Sequence, residues 1–292
     1  MLYYIENENY KVGIETKGAE LQSIVDKKNQ REIMWQAGLE NYWIRQAPIL
    51  FPYCGALKND TFTHNGNTYK YGQHGFLRNQ ELKVVEQHAN KIIFECESTN
   101  ETLEVYPFNL VVQITFTIVE NTLHHSFWVK NTSAEKMYFN VGFHPGFNCP
   151  FDDQHTIEDY VFEFEQEESP DYLVRKGNLI SGEKSRLFNN SKILPMTQNM
   201  FDDDSIAMVE LKSKWLKIQE KDSERSITVD IAGFPYVLIW SNATKPIKFI
   251  CVEPWQGIND LESASGVLSE KEGIQALSPN EEYTTVCKMT FK

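Results

Sequence analysis

The chain has 292 residues, 41% of them hydrophobic and 13% aromatic, enough to bury a large core and too many for a disordered chain. Its net charge of −13, with no dense stripe of Lys and Arg to offset it, argues against nucleic acid and membrane partners. Five cysteines (Cys54, Cys96, Cys149, Cys251, Cys287) form an odd set with no C-x-x-C pair, which argues against a disulfide framework and against a structural zinc site.

The opening stretch MLYYIENENYKVGIETKG breaks up its apolar residues with Glu6, Glu8, Lys11 and Glu15. Neither a signal peptide nor a spanning helix fits it, so a cytoplasmic protein is expected. TFTHNGNTYKY follows as two extended runs around Asn65-Gly66, a dipeptide that tolerates positive φ at both positions and marks a hairpin. His74, in GQHGFLRN, leaves that hairpin with Gly72 and Gly75 near it, where a bare backbone can approach a ligand. Arg78 on the same loop is placed to hold a hydroxyl or an anion. Taken alone, this is more often a structural loop histidine.

LVVQITFTIV alternates Val112, Ile114, Phe116 and Ile118 with polar residues, the period of a half-buried strand. Glu120 and Asn121 turn the chain into TLHHSFWVK. His124 and His125 fall on opposite faces there, so they cannot share a metal and read as ordinary strand residues. NVGFHPGFNCPF then repeats the theme of a Gly-flanked histidine leaving a strand: His144 precedes Pro145, which disfavours helix, between Gly142 and Gly146. EFEQEESPD reads as a solvated strand edge with its loop.

Along IKFICVEPWQGIND, Ile247, Phe249, Cys251 and Glu253 share a face, so a carboxylate ends an apolar row. Desolvation there raises a carboxyl's pKa unless a partner offsets it, which suits a general base. Pro254 is expected to end the ladder, and Trp255 offers a flat apolar face for the C–H side of a sugar ring. The alternative is a solvated strand-end Glu beside a core Trp. Short strands recur to the end of the chain, with no linker, repeat or composition break. An all-β fold in one domain, residues 1–292, is expected.

HGFLRN, FHPGFN and CVEPWQGIND, in this order, resemble the aldose 1-epimerase (mutarotase) family, and most its lactose-operon-associated branch. The similarity extends from KGAELQSI and MWQ through APILFPYCGALKND to LSPNEEYTT. It implies a mostly antiparallel galactose-mutarotase-like β-supersandwich, a small-molecule sugar as ligand, no cofactor and no metal, in a monomer or homodimer. It implies Glu253 as the base at the C1 hydroxyl, His144 as the acid at the ring oxygen and His74 as a hydrogen-bonding group. The two histidine and carboxylate partners are expected to raise and lower each other's pKa respectively, widening a bell-shaped pH profile.

Two departures accompany the resemblance. Ala56 stands where many relatives carry an arginine, leaving Lys58 as the nearest cation. The family's hydroxyl-binding aspartate falls in NMFDDDSIAMVEL, where Asp204 is preferred over Asp202 and Asp203. The readings left open are a mutarotase, a catalytically silent sugar-binding or sensing protein on the same fold, a hexose-phosphate mutarotase and, last, a glycosidase, for which no second carboxylate has a comparable setting.

Overall fold

A computed structural model describes residues 1–292, nearly all of them in antiparallel strands and the loops between them. The alternating run Leu110–Val119 pairs in register with Thr122–Asn131, Ile114 opposite Phe127, as the Glu120-Asn121 turn requires. This hairpin lies in a nine-stranded sheet that also holds Lys83–Gln87, Lys91–Glu97, Glu282–Phe291, Ser226–Asp230, Trp215–Glu220, Tyr160–Glu168 and Ser191–Pro195. An eight-stranded sheet faces it, in the order Leu179–Arg186, Asp171–Lys176, Ile206–Val209, Tyr236–Trp240, Phe249–Trp255, Gly142–Phe143 and Ile49–Leu50, with Gly146–Asn148 also paired to Phe249–Trp255. The inward rows of both sheets, among them Val112, Ile114 and Phe116 from one and Val237, Ile239, Ile250 and Val252 from the other, form one core.

The second sheet is buried on its other face too, where Leu238, Trp255 and Ala207 make a separate apolar cluster and Phe249 and Cys251 another, under Trp35. That explains why Phe249–Trp255 reads as a continuous hydrophobic run and not as an alternation. A four-stranded meander at the N-terminus, from Leu2–Glu6 to Arg31–Glu32, and the hairpin Thr61–His64/Asn67–Lys70 complete the larger features. Asn65 and Gly66 both have positive φ, 49° and 79°, as their hairpin turn demands. The one α-helix, Asn100–Val105, starts at Thr99, whose hydroxyl caps the amide of Thr102. No helix is long and apolar enough to cross a membrane.

Three local expectations are corrected. Tyr160–Glu168 is not a sheet edge, since Ser191–Pro195 lies outside it; Glu168 is buried and accepts from the amides of Lys212 and Ser213 and from the Ser213 hydroxyl. Ile247 belongs to the inter-sheet core and precedes the strand, so the row that leads to Glu253 begins at Phe249. Pro254 does not end the ladder: it pairs with Val237, and Trp255 continues the strand opposite Tyr236. The Gln256 amide, two residues on, donates to Val141 O, so the proline nitrogen faces the same side. There His144 and Pro145 interrupt the pairing between Gly142–Phe143 and Gly146–Asn148, and no ladder hydrogen bond is lost.

Candidate active site

His144, Glu253, His74, Arg78, Asp204 and Trp255 all line one open cavity of about 260 Å³ on the outer face of the eight-stranded sheet. Glu253 reaches it because alternate residues of Phe249–Trp255 face outward, and Leu238, its neighbour across the ladder, flanks it. His144 leaves the break between two short strands, and its Nε2 lies 3.2 Å from Glu253 Oε2. Both side chains are almost wholly buried, and Glu253 Oε2 and His144 Nδ1 have no hydrogen-bond partner. Trp43 stacks on the imidazole at 4.7 Å between centroids, and Trp240 meets it edge-on.

The glycines around His144 make room for tryptophan. A Cβ on Gly142 would come within 2.7 Å of the Trp255 ring, and one on Gly146 within 2.8 Å of Trp43. Gly75 is likewise required by packing, since a Cβ there would sit 2.2 Å from Phe51 O, whereas Gly72 faces open space. The expectation that Gly72 and Gly75 admit a ligand is therefore replaced by a backbone-packing role for Gly75 alone.

His74 itself has φ of 69°, and its ring is fixed by the Gly55 amide, which donates to Nδ1 at 3.1 Å. Nδ1 is thus an acceptor, and the neutral ring carries its proton on Nε2. Burial holds the His74 pKa well below the usual histidine value, helped by His144 and by the arginines Arg78, Arg175 and Arg45. His74 is a neutral hydrogen-bond donor.

The His144–Glu253 pair is shifted opposite to the expectation that an ion pair would raise the histidine and lower the glutamate. Burial brings His144 down to about 3, with Arg78 adding to the effect. Burial likewise pushes Glu253 well above the ordinary carboxyl value, reinforced by Asp204, while Arg175 and the nearby Trp255 indole act the other way. The indole N–H forms no hydrogen bond of full geometry. In water-poor surroundings the uncharged arrangement, Glu253 protonated and His144 neutral, outweighs mutual attraction.

Lys58 does not belong to the site. Its ammonium donates to the carbonyls of Glu262 and Ala264, and its amide to Asp260, so the side chain is held away from the cavity. Ala56 is buried, with its carbonyl accepting from the Asp260 amide. A second cation in the cavity, besides Arg78, is Arg175, which gave no signal in the sequence: it enters from Asp171–Lys176, donates to Ser205 Oγ at 2.9 Å and pairs with Asp204 Oδ2 at 3.1 Å. Asp204 is the aspartate of the three that faces this cavity; Asp202 pairs with Lys245 at 2.7 Å and Asp203 lines a neighbouring hollow. Arg78 Nη2 donates to Gln73 O at 2.7 Å, while its Nε is buried without a partner. Trp255 is only 3% exposed, so the more open aromatic surfaces are Trp43 and Trp240, also missed. No periodicity marks Trp43, which lies in a loop.

A β-supersandwich with a histidine–carboxylate pair on the outer face of its second sheet defines a galactose-mutarotase-like protein. The comparisons agree: the aldose 1-epimerase family model matches residues 1–290, and the chain belongs to that family. It is 32% identical over 288 residues to the chromosomal LacX protein of Lactococcus lactis, covering 96% of this chain and 95% of the relative. The structure of a galactose mutarotase related enzyme from Lactobacillus acidophilus superposes with a TM-score of 0.95 at 34% identity, over 100% of this chain and 97% of the other. A galactose mutarotase-like protein from Lactobacillus casei gives 0.93 at 29% identity, with full coverage of both chains.

Proposed function

We propose that the protein is a cofactor-independent mutarotase that interconverts the α and β anomers of a free hexose such as galactose or glucose. The observation that carries this reading is the contact of 3.2 Å between His144 Nε2 and Glu253 Oε2, buried at the wall of a cavity for a small ligand. Opening a hemiacetal takes one proton from the C1 hydroxyl and gives one to the ring oxygen. Glu253 is the base and His144 the acid.

The pair holds one proton between them. Burial favours the uncharged arrangement, and the reactive one, ionised Glu253 with protonated His144, differs from it in the position of one proton and not in net charge. Once the ring is open, rotation about C1–C2 presents the other face of the aldehyde, and the two groups exchange roles as it closes. His74 donates from Nε2 to the sugar near its ring oxygen. Arg78, Arg175 and Asp204 hold hydroxyls, and Trp43, Trp240 and Trp255 bound its apolar faces.

A neutral sugar suits the cavity better than a phosphorylated one. Arg175 is already paired with Asp204, which leaves Arg78, hydrogen-bonded to a neutral carbonyl, as the single lining cation without a carboxylate partner to meet a doubly charged phosphate. We read residues 1–292 as one domain acting in the cytoplasm, and all five cysteines are unpaired, as in a reducing compartment. Polarimetry of freshly dissolved α-galactose and α-glucose tests the activity. A relaxation no faster than without protein would leave a sugar-binding module in its place, and acceleration with glucose 6-phosphate alone would reverse the substrate choice.

A further inference from the structure

No zinc-like spacing of Cys and His is present in the sequence, yet the fold adds a third ligand type, the Cys251 thiol, to the His144–Glu253 pair. His144, Cys251 and Glu253 each present one ligand atom, and these atoms lie within 4.8 Å of one another, all from buried residues. Cys251 pairs across the ladder with Gly146, two residues from His144, and Glu253 follows two residues further along the same face. Glu253 Oε2, which lies 3.2 Å from His144 Nε2, has no hydrogen-bond partner, although its side chain is more than nine-tenths buried and lines the cavity.

We propose that His144, Cys251 and Glu253 form a binding site for Zn²⁺, and that zinc bound there blocks the active site. Zinc takes N, S and O ligands at about 2.0–2.3 Å, and three protein ligands leave its fourth position open, here toward the cavity. Tetrahedral geometry at such lengths separates ligand atoms by about 3.2–3.7 Å. The imidazole and carboxylate already meet that at 3.2 Å, and the sulfur needs a shift of no more than about 1 Å. A thiolate in the set favours zinc over magnesium or calcium, which take oxygen ligands. Binding displaces the thiol proton of Cys251 and the carboxyl proton of Glu253, and releases both to solvent. The imidazole and carboxylate so engaged can no longer move protons on a sugar.

Cobalt(II) reports the site without turnover, so this test stands whether or not the mutarotase reading does. Co²⁺ added to the metal-free full chain should give an intense near-ultraviolet thiolate-to-cobalt band that Zn²⁺ removes. Cys251→Ala should lose the band, mutarotate as wild type, and weaken zinc inhibition at least about 100-fold, more than the ~10–100-fold cost of an outer-shell partner. Should Cys251→Ala not fold, Cys251→Ser must lose the band in its place, and His144→Asn must weaken Co²⁺ binding. Absence of the band in wild type, or equal zinc sensitivity in the cysteine variant, overturns the site.

Discussion

Two of the histidine–carboxylate groupings in this protein differ in everything that matters for chemistry. In the first, His144 and Glu253 lie 3.2 Å apart with unpartnered polar atoms and little else charged in contact. In the second, His155 Nδ1 lies 2.6 Å from Asp152 Oδ1, Arg225 pairs with both Asp152 and Glu220, and the Tyr160 hydroxyl donates to Glu220. Asp152 raises the His155 pKa, and hydrogen bonds from His155 and Arg225 lower that of Asp152. For Glu220 burial acts upward, but Arg225, Ser223 and Tyr160 outweigh it and the carboxyl ends lowered. The same residue types therefore make a satisfied ion network in one place and, in the other, a pair displaced toward its uncharged form. The missing partners are what the proposed reaction requires, since groups with spare hydrogen-bonding capacity can receive a substrate.

The sharpest way to break this comparison is to remove the proton acceptor. Glu253→Gln keeps the shape of the side chain but cannot take a proton, and mutarotation followed by polarimetry should fall ~10²–10⁴-fold. Retention of the wild-type rate would place the base elsewhere. Because the site is the uncompensated cluster, thermal stability should hold or rise: a buried carboxyl with no partner is replaced by an amide.

His144→Asn should cost about 10²-fold in rate and change the pH profile in a specified direction. In wild type the reactive arrangement needs one proton on the pair, so the rate falls on the acid side as a second proton binds His144, which burial holds near 3. On the alkaline side it falls as the last proton leaves the raised Glu253. Without His144 only ionised Glu253 is required. The alkaline limb then disappears, and the acid limb moves up to the raised pKa of Glu253. An acid limb that stays in place would mean that Glu253 titrates as an ordinary carboxyl.

How much of this contrast was legible depends on whether its cause is local. The hairpins at Asn65-Gly66 and Glu120-Asn121 are set by adjacent residues, and Glu253 by the period of its own strand, so all three could be read from the sequence. His144 and His74 were found because Gly and Pro mark departures from a strand. Arg175 gave no such signal: it is one arginine in a half-buried strand, and its role comes from Ser205 and Asp204 some 30 residues away. Lys58 was misassigned for the same reason, because the carbonyls that hold it belong to Glu262 and Ala264. The opposite titration of His144 and Glu253 was also hidden, since attraction can be inferred from proximity whereas desolvation depends on every wall of the cavity.

His74→Asn sharpens the comparison from inside the site. The ring is neutral and fixed by the Gly55 amide, so in the proposed reaction it would contribute a hydrogen bond and no proton transfer. A loss of roughly 10-fold in rate is expected, in line with about 1.4 kcal/mol for one hydrogen bond, with both limbs of the bell unmoved. A profile that loses its alkaline limb in this variant would make His74 the acid.

The smallest effect belongs to the second cluster. His155→Asn should leave mutarotation unchanged at every pH, since the network lies outside the cavity and its members are occupied by one another. Its effect is confined to stability and has a definite sign. The folded-state pKa of His155 is raised, chiefly by its hydrogen bond to Asp152, so the folded protein binds this proton more tightly than the unfolded chain. The stabilisation is complete below the unfolded pKa of about 6.5 and is lost as pH rises through the folded value. The Tm difference between wild type and His155→Asn should therefore be largest in mild acid and vanish toward alkaline pH, and it should shrink in high salt because the pair is partly exposed. A Tm difference that grew with pH would show that Asp152 does not hold this histidine in its charged form, and the division between a satisfied network and an unsatisfied reacting pair would lose its second half.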